Sequence, residues 1–600
     1  MRIRQLRIRN FRGIGELEVT LPQHALLVGQ NNVGKSAVLG ALAMLIGRDS
    51  MRPQLTDYDF HNKRILDNSG KPVPIVIRAV LTDFDNGGPS GPEARLFSGL
   101  LEAGTLQSWN TKTDKLDTKP AEGPDEKAAV EVAFHARYNH DLGEFESIRT
   151  FWNPDLDPFD DAAPRLGTKH LAAAGLFTLP ASRLWQNALG FSSSTLQKLI
   201  REFEAKPGEQ IRNIADDLAG LPNKADGAKE LRTLLDEMLG ILDEFMPLHE
   251  PTTTAGYEVT GLDMSSVERA LVFFLQTAGS EQRLPAYQHG TGLVSLQVLL
   301  MLLMFGKYRM DKQRTFILAA EEPELHLYPH AQRRIVHEVK ERTTQSIVTT
   351  HSPALAEQYE PGEVLLLRRG AAGKRVVSRL WTGTPASKQK NEVKRLFFQQ
   401  RSAIAGALMG TACLFVEGVT EATFLPLLSD LVEGCSFDRH GISCIDGNGA
   451  DLHRRYKLLR PLLPTTAVLV DGDTDGNGYR TQFEGDAEAD ATVLQWGDGL
   501  AFEDCLVEGI TASVEKAVWD RVKETGLSKG EDSLFKELKA SKGNIAVARA
   551  AANAMADEAW VPDRIGNLVR AVAALSEGKT LGEVTGVVAD GESWHVAEGE

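Results

Sequence analysis

A glycine-framed loop directly after a short apolar run constrains the fold of this chain more than any other feature. Residues 26–28 are apolar, and they lead into Gly29-Gln-Asn-Asn-Val-Gly34-Lys35-Ser36. The spacing G-x-x-x-x-G-K-S lets consecutive backbone N–H groups turn toward a phosphate group. The apolar stretch 37–46 predicts a helix whose N-terminus faces that anion. The sequence therefore predicts a strand, loop and helix that bind a nucleotide.

Each residue type in this loop has a different expected contact with the nucleotide. Gly29, Asn32 and Gly34 would shape the backbone around the phosphates. Lys35 would reach the β- and γ-phosphate oxygens, and the hydroxyl of Ser36 would be a ligand of Mg²⁺. The predicted cofactor at this site is ATP with Mg²⁺.

Two further strands are predicted to deliver polar groups to the same edge of the sheet. The apolar segment 315–320 ends in Glu321 and Glu322. This is where a P-loop ATPase holds a Mg²⁺ ligand, here Glu321, and a residue that orients the attacking water, here Glu322. The segment 346–350 is a predicted strand that ends at His351, which would contact the γ-phosphate.

A glycine-rich turn at 288–295 precedes a helix predicted over 296–305. Gly290 and Gly292 in this turn have backbone N–H groups that would bind a phosphate. The longest apolar stretch, 293–305, is shorter than the roughly 18 residues that a membrane span requires. We therefore expect a cytoplasmic protein without a membrane span.

The composition restricts the partners and the chemistry. The net charge of −16 opposes long-range attraction to nucleic acid, so DNA binding would need a local basic surface. The four cysteines include no C-x-x-C pair, which argues against a disulfide framework or a zinc site and predicts free thiols.

The order of the predicted elements divides the chain into four regions. Residues 1–165 hold the first part of the ATPase, including a hairpin over 1–20 and strands within 73–84 and 130–138. Residues 166–262 are helical in pattern, 263–400 complete the ATPase, and 401–600 form another domain whose last residues, 591–600, are expected to be loosely ordered. The helical insert 166–262 either packs on its own domain or forms a dimerisation module, and its spacing does not decide between them.

Carboxylates follow two predicted strands of the last domain. The strand 412–416 ends at Glu417, and the strand 467–470 ends at Asp471-Gly-Asp473. Each acid alone is ordinary turn chemistry. If the two strands are parallel neighbours, however, the acids converge at one sheet edge, and their repulsion requires a divalent cation. Oxygen ligands favour Mg²⁺, Mn²⁺ or Ca²⁺ over zinc.

Taken together, the motifs of the first 400 residues resemble ABC-type ATPases of the SMC and RecF kind. The resemblance includes the N-terminal Asn10-Phe-Arg-Gly, the phosphate loop, the glycine-rich turn and the switch histidine. It implies a homodimer, at least with ATP bound, in which the turn of one protomer completes the nucleotide site of the other. Two departures are His289-Gly-Thr-Gly in the turn, where Ser-Gly-Gly is commoner, and Glu321, where aspartate is usual.

The acids of the last domain resemble those of a Toprim domain, the metal-binding module of topoisomerases, primases and certain nucleases. A Toprim domain behind an SMC-like ATPase is the architecture of the overcoming-lysogenization-defect (OLD) family, which includes the Gabija endonuclease subunit. The fold class that this resemblance implies is α/β: an ABC-type P-loop ATPase with an inserted helical module, then a Rossmann-like Toprim domain with a helical C-terminal extension.

The OLD resemblance also implies an activity and its residues. The activity is ATP-linked, divalent-metal-dependent cleavage of double-stranded DNA at a two-metal site, in defence against phage or plasmid DNA, with a helicase-like companion protein. The resemblance implies Glu417 as a catalytic residue that acts in general acid/base or metal chemistry. It also implies Lys542 as a catalytic lysine, for which a helix-capping loop is the alternative. The implied metal ligands are Glu417, Glu421, Asp471, Asp473 and Glu503, with Asp504 as the competitor of Glu503.

Basic residues before the last domain are candidates for a DNA track. They are Arg368, Arg369, Lys374, Arg375 and the basic segment 388–401. A solvated connector is the alternative interpretation, and no base-reading motif indicates sequence specificity. A DNA clamp or repair scaffold that is gated by ATP and has no nuclease activity is the alternative function.

Overall fold

The computed structural model describes residues 1–47, 55–84, 96–97, 107–181, 274–275, 284–285, 288–370, 373–381 and 386–597. The chain forms two compact units. The first comprises Met1–Pro180, Arg309–Glu324 and Tyr328–Glu600, and the second comprises Ala181–Tyr308 and Leu325–Leu327. Most of the predicted helical insert, 182–262, lies outside the described residues, so its role as a dimerisation module stays a prediction.

The first sheet is antiparallel, and its strand order is β2-β1-β4-β7-β5-β6, with β8 beside β7. Its strands are β1 Arg2–Phe11, β2 Ile14–Thr20, β4 Ile75–Thr82, β5 Gln107–Asn110, β6 Lys115–Asp117, β7 Glu126–Asn139 and β8 Glu144–Phe151. In β1, Ile3, Leu6 and Ile8 are fully buried, while arginines between them face outward. The N-terminal hairpin and the strands predicted within 73–84 and 130–138 are confirmed.

The second sheet carries the phosphate loop, and its order is β15-β14-β3-β13-β12-β9. Its strands are β3 His24–Val28, β9 Leu176–Leu179, β12 Ile317–Glu321, β13 Gln345–Thr349, β14 Val364–Arg369 and β15 Arg375–Ser378. All neighbours are parallel except β14 and β15. The carboxyl ends of β3, β13 and β12 therefore meet at one edge of the sheet, where ligands bind in such folds. Strands β10 Phe274–Leu275 and β11 Leu284–Pro285 form a separate antiparallel pair.

One predicted boundary is wrong. Strand β9 pairs in parallel with β12, and helix α2, Thr168–Ala174, leads into it. Residues 168–179 therefore belong to the ATPase sheet and not to the helical insert, which was predicted to begin at 166. The physical reason is that a four-residue apolar strand at the edge of a parallel sheet has no periodicity of its own to distinguish it from the helical pattern that follows.

The third sheet forms the last domain, and its order is β17-β16-β18-β19-β21-β20. Its strands are β16 Ala412–Val416, β17 Ile442–Asp446, β18 Thr465–Val470, β19 Thr492–Gln495, β20 Val587–Asp590 and β21 Ser593–Val596. All neighbours are parallel except β20 and β21. The expectation that 591–600 is loosely ordered is wrong for β21, because this strand is paired on both sides.

The α-helices of the described residues lie between the strands along the chain. In chain order after α1 Lys35–Ile46 and α2, they are α3 Thr291–Asp311, α4 Pro329–Glu341, α5 Pro353–Ala356, α6 Ser387–Gln399, α7 Arg401–Met409, α8 Val419–Ser429, α9 Phe437–His440, α10 Leu452–Leu459, α11 Thr474–Glu484, α12 Phe502–Val507, α13 Ala512–Glu524, α14 Leu534–Ala540, α15 Ile545–Asp557 and α16 Asp563–Ser576. One apolar core joins α1 to the first two sheets. A second core joins the third sheet to helices that include α8, α15 and α16.

Helix α3 is longer than the helix predicted over 296–305. It has 21 residues and is, by length and composition, apolar enough to cross a membrane; 44% of its most apolar window is buried inside the protein. Helices in the cores of many proteins outside membranes have the same length and composition. The four cysteines are all free, as predicted, and Cys413 and Cys505 are buried.

Candidate functional site

The phosphate loop connects β3 to α1 and has the backbone conformation that its glycines allow. Gly29, Asn32 and Gly34 have φ angles of 141°, 60° and 109°. A Cβ atom on Gly29 would lie 2.4 Å from the carbonyl oxygen of Leu367 in β14, so no larger residue fits there. The glycines are therefore required by the close approach of the loop to the neighbouring strand as well as by its turns.

The amino group of Lys35 lies inside this loop. It donates hydrogen bonds to the carbonyl oxygens of Gly29 at 2.8 Å and Gln30 at 2.9 Å. Burial lowers the pKa of Lys35 to about 8, against the opposing effect of Glu322 and Glu321. The two nearby carboxylates do not offset the cost of burying the positive charge of Lys35. An anion bound in the loop would therefore be a favourable partner for its amino group.

The structure brings Ser36 and Glu321 together, as the motifs predict. The Ser36 hydroxyl donates a hydrogen bond to Oε1 of Glu321. Glu321 is the last residue of β12, two strands away from β3 in the sheet. A hydroxyl and a carboxylate in contact form the oxygen pair that P-loop ATPases use for Mg²⁺.

Glu322 and His351 also meet at this edge. Nε2 of His351 lies 3.9 Å from Oε1 of Glu322. Burial and the charge of Lys35 lower the pKa of His351, while Glu322 raises it. Both side chains are partly exposed.

Two contacts at the nucleotide site were not predicted from the sequence. Oε1 of Glu324 accepts hydrogen bonds from the Thr350 hydroxyl and from the backbone N–H of His351. Nε of Arg375 donates to the carbonyl oxygen of Val33 in the phosphate loop at 2.8 Å. The only sequence signal for Glu324 was its place in the acidic loop after β12. Arg375 was assigned to a DNA track because its partner is 342 positions away.

The glycine-rich turn begins α3, as predicted, although its helix starts earlier at Thr291. A Cβ atom on Gly292 would lie 2.4 Å from the carbonyl oxygen of His326, whereas Gly290 has open space around it. The hydroxyl of Ser295 donates to the carbonyl oxygen of Leu325 at 3.4 Å. Gly292 is thus required by close backbone packing, and a phosphate role for the turn stays a prediction.

The third sheet brings Glu417 and Asp471 together, as predicted. Strands β16 and β18 are parallel neighbours, and each acid is the first residue after its strand. Oε1 of Glu417 accepts a hydrogen bond from the backbone N–H of Asp471 at 2.7 Å. Oδ1 of Asp471 accepts one from the N–H of Phe502 at 3.1 Å. Both carboxyl groups are therefore held at the same edge of the sheet.

Asp473 has a second role in addition to its charge. It is the N-cap of α11, and its Oδ1 accepts a hydrogen bond from the N–H of Gly476 at 2.9 Å. Its charge nevertheless raises the pKa of both Glu417 and Asp471. Asp473 thus belongs electrostatically to the cluster, with one oxygen committed to the helix.

Glu421 and Glu503 supply buried carboxyl groups to the same cluster. Each is 1% exposed. Oε2 of Glu421 and both carboxyl oxygens of Glu503 have no hydrogen-bond partner. Nζ of Lys542 lies 3.6 Å from Oε1 of Glu503. Asp504 instead accepts a hydrogen bond from the N–H of Ala501 at the start of α12, so of the two adjacent acids it is Glu503 that lies in the cluster.

The carboxyl groups repel one another and are poorly solvated. Burial and the charge of Asp471 raise the pKa of Glu417 to about 8. Burial is also the main cause that raises the pKa of Glu421 and of Asp471 to about 7. For Lys542, the acids Glu503, Asp471, Glu421 and Glu417 outweigh burial and raise the pKa. One ammonium group does not balance this many acids, so the cluster lacks positive charge.

The donor chemistry of the cluster fits a divalent cation. All its acidic donors are carboxyl oxygens, and three of them are buried without a hydrogen-bond partner, which is rare unless an ion or water completes them. Within the described ranges, no group of three or more His, Cys, Asp or Glu side chains is close enough together to hold a metal ion as the side chains stand. Glu417, Glu421, Asp471 and Glu503 are the residues that would hold the metal.

Tyr479 on α11 also faces the cluster and was not predicted. Burial and the charges of Glu417, Asp475 and Asp473 raise the pKa of its phenol. A single tyrosine within a polar helix gives no sequence signal that distinguishes it from a surface residue.

Comparisons with known proteins agree with this arrangement. Residues 25–357, more than half of the chain, match the family described as "AAA domain, putative AbiEii toxin, Type IV TA system". Residues 408–473, which include Glu417, Glu421, Asp471 and Asp473, match the TOPRIM domain of overcoming lysogenization defect protein-like proteins. The chain belongs to this AAA family and carries an OLD-like Toprim domain. The predicted family and fold class, an ATPase followed by a Toprim domain, are confirmed.

Two curated proteins are similar to this chain over more than half of its length. This chain is 25% identical over 515 residues to the uncharacterized protein YbjD of Escherichia coli K12. The matched region covers 82% of this chain and 84% of YbjD. This chain is 23% identical over 386 residues to the OLD nuclease of Thermus scotoductus SA-01. The matched region covers 63% of this chain and 64% of that nuclease. The chain thus spans less than two thirds of the nuclease.

Solved structures of SMC heads are also similar to this OLD-like protein at low overlap. An SMC head bound to the C-terminal winged-helix domain of ScpA has a TM-score of 0.32 at 14% identity, with 63% of this chain and 97% of that chain covered. The SMC head of Thermotoga maritima has a TM-score of 0.28 at 11% identity, with 63% and 99% covered.

Proposed function

We propose that this protein is a DNA endonuclease that requires divalent metal ions and binds and hydrolyses ATP. The observation that carries the proposal is the convergence of Glu417, Asp471, Glu421 and Glu503 at the carboxyl edge of an OLD-like Toprim sheet, where buried carboxyl oxygens lack partners. A relative at 23% identity is named OLD nuclease, which supports the same class of reaction.

The carboxyl groups would bind the metal and the substrate phosphate would approach from the exposed side. Two Mg²⁺ or Mn²⁺ ions in such a site activate a water molecule and stabilise the leaving oxygen of the phosphodiester. Glu417, whose pKa is about 8, is suited to hold or release a proton near neutral pH. Lys542, half exposed beside Glu503, would offset negative charge on the phosphate.

The ATPase site would act on a separate substrate. Gly29, Asn32 and Gly34 would shape the loop around the phosphates of ATP, and Lys35 would exchange its carbonyl partners for phosphate oxygens. Ser36 and Glu321 would hold Mg²⁺.

The remaining groups of the ATPase site would serve hydrolysis and dimer formation. Glu322 would orient the attacking water, and His351 would contact the γ-phosphate. Gly290 and Gly292 would bind a phosphate of the nucleotide on a second protomer, so the active ATPase would be a homodimer.

The same proposal extends to the biological setting. We place the protein in the cytoplasm, acting on double-stranded phage or plasmid DNA together with a helicase-like companion. The support is the match of its second domain to OLD-like proteins. The basic residues of the connector, Arg368, Arg369, Lys374 and the segment 388–401, would supply the local positive surface that a chain of net charge −16 needs to hold DNA.

One observation favours a second candidate function. In the part of the chain that the structure describes, no group of three or more His, Cys, Asp or Glu side chains is placed to hold a metal ion, which would suit an ATP-gated DNA clamp without cleavage. Incubation of supercoiled plasmid with Mg²⁺ or Mn²⁺, with and without ATP, separates the two functions. The nuclease predicts open circles or linear DNA that disappear when EDTA is added. Supercoils that persist under every metal would favour the clamp.

A further inference from the structure

Glu324 is a buried carboxyl group beside the nucleotide site with no role in the nucleotide contacts described above. Its side chain is 7% exposed, and it follows Glu321 and Glu322 in the loop after β12. Oε1 accepts a hydrogen bond from the Thr350 hydroxyl and another, at 3.2 Å, from the backbone N–H of His351. Oε2 is buried and has no hydrogen-bond partner.

A carboxyl group in this position costs stability, because burial without full hydrogen bonding removes solvation. An apolar side chain of similar size would avoid that cost. The loop after β12 is already joined to the end of β13 by a hydrogen bond from the N–H of Glu322 to the carbonyl oxygen of Thr349. An acceptor at position 324 adds contacts to the next two residues, the hydroxyl of Thr350 and the backbone N–H of His351. The turn after β13 carries His351.

The same turn has a second anchor on its other side. The Ser352 hydroxyl donates a hydrogen bond to Oε1 of Gln332 on α4 at 2.5 Å, and it caps α5 by accepting from the N–H of Leu355. The residues on both sides of His351 are therefore fixed, whereas its imidazole is the group that extends toward Glu322, at 3.9 Å. Of the two anchors, only Glu324 bonds the backbone of His351 itself.

We propose that Glu324 is a positioning residue for ATP hydrolysis, which holds His351 at the γ-phosphate through the backbone N–H of His351 and the hydroxyl of Thr350. The inference rests on the proposed ATP hydrolysis. Glu324 acts through His351, since its carboxyl group accepts hydrogen bonds from Thr350 and His351. Its removal should impair turnover and leave ATP binding intact, because the phosphate loop that binds ATP is not among its partners.

The kinetic test compares five variants of the full-length protein, one of them a control, with the wild type. Glu324→Ala should lower kcat for ATP by about 10- to 100-fold, the effect of a misplaced reacting group, with KM for ATP within about twofold. Glu324→Gln keeps an oxygen acceptor and should retain most of the activity. Glu324→Ala combined with His351→Ala should be no slower than His351→Ala alone, because the two residues act as one unit.

Three kinetic results would overturn the inference: wild-type kcat in Glu324→Ala, equal damage in Glu324→Gln and Glu324→Ala, or additive losses in the double variant. Additivity would mean that Glu324 supports the fold without acting through His351. Glu341→Ala, an exposed acid on α4 that pairs with His337, is the matched control and should retain wild-type kcat.

A second measurement does not depend on turnover. Hydrogen–deuterium exchange of a peptide that contains Thr350, His351 and Ser352 should be faster in Glu324→Ala than in wild type and unchanged in Glu324→Gln and Glu341→Ala. If hydrogen–deuterium exchange of this peptide is unchanged in Glu324→Ala and the wild type hydrolyses ATP, the inference is overturned and the proposed ATPase function is not. Absence of ATP hydrolysis in the wild type would instead overturn the proposed ATPase function, and this inference with it.

Discussion

The carboxyl group of Glu417 accepts a hydrogen bond from the backbone N–H of Asp471 at 2.7 Å, across two neighbouring parallel strands. This bond joins the ends of β16 and β18 and holds two acids that repel each other at one edge of the sheet. The charge of Asp471 accordingly raises the pKa of Glu417. A backbone hydrogen bond therefore organises the acids of this site.

Replacement of Asp471 should separate the two activities. Asp471→Asn removes a negative charge from the cluster and leaves the side-chain volume nearly unchanged, so DNA nicking should fall by about 100-fold or more, as for the loss of a group that stabilises charge in the transition state. ATP turnover should stay within about twofold of wild type, because the ATPase site lies on another sheet. Plasmid nicking and phosphate release measure the two activities.

Asp498→Asn is the control for this variant, since Asp498 is an exposed aspartate in the loop after β19. It should nick DNA as wild type does. Nicking by Asp471→Asn at the wild-type rate would show that this acid has no part in cleavage.

Replacement of Lys542 should slow cleavage and leave the fold intact. Lys542→Met keeps the length of the side chain and removes the ammonium group 3.6 Å from Glu503. We expect a loss of about 10²-fold in the nicking rate at saturating Mg²⁺. The control is Lys536→Met, which removes an exposed lysine of α14 that pairs with Asp532. This variant should nick DNA at the wild-type rate. Equal rates for the two variants would support a helix-capping role for the loop at Lys542.

Replacement of Lys35 should abolish ATP turnover. Its amino group holds the carbonyl oxygens of Gly29 and Gln30 and is the cation that the loop offers to the phosphates. Lys35→Ala should reduce phosphate release by about 10²-fold or more. Lys63→Ala, an exposed lysine paired with Asp57, serves as the control. Retained ATP turnover in Lys35→Ala would contradict the assignment of the loop as the ATP-binding site. The nicking rate of this variant would show whether ATP binding raises or lowers DNA cleavage.

The acid cluster should make stability depend on pH when metal is absent. Burial, with neighbouring charges, raises the pKa of Glu417 to about 8 and those of Glu421 and Asp471 to about 7, whereas in an unfolded chain such groups titrate near 4. Between about pH 4 and pH 8 the folded state therefore binds more protons than the unfolded state. The contribution of these three groups to the protein's free energy of unfolding therefore falls as pH rises through that window.

Thermal unfolding in EDTA and in Mg²⁺ measures this effect. In EDTA, the Tm difference between Glu417→Gln and wild type should grow in favour of the variant from about pH 5.5 to about pH 8. Mg²⁺ should stabilise the wild type more at the higher pH, because the metal competes with protons for the same oxygens. A Tm increase from Mg²⁺ that is equal at both pH values would contradict the prediction.

The sequence predicted those parts of the sites that depend on strand ends. The apolar runs before Lys35, Glu321, His351, Glu417 and Asp471 are buried parallel strands, and parallel strands deliver their next residues to a common edge. This rule needs no knowledge of distant contacts. It was sufficient to bring Ser36 to Glu321 and Glu417 to Asp471.

Contacts that depend on packing between distant segments were not predictable in this way. Glu503 and Asp504 are adjacent in the first turn of α12, and only the three-dimensional packing of that helix decides which one enters the cluster. Arg375 reaches the phosphate loop because β14 lies beside β3, a pairing that neither strand signals. Strand β9 was assigned to the insert for the same reason, because its partner lies far along the chain.

The most direct test of the central claim is to locate the metal. Crystals of the full-length protein soaked in Mn²⁺, with diffraction data collected at the manganese absorption edge, reveal each bound ion by its anomalous signal. We predict an ion between Glu417 and Asp471 with a carboxyl oxygen of Glu421 or Glu503 among its ligands, and no such ion in Asp471→Asn. Manganese bound only at the phosphate loop, with the carboxyl cluster unoccupied at saturating Mn²⁺, would contradict the account.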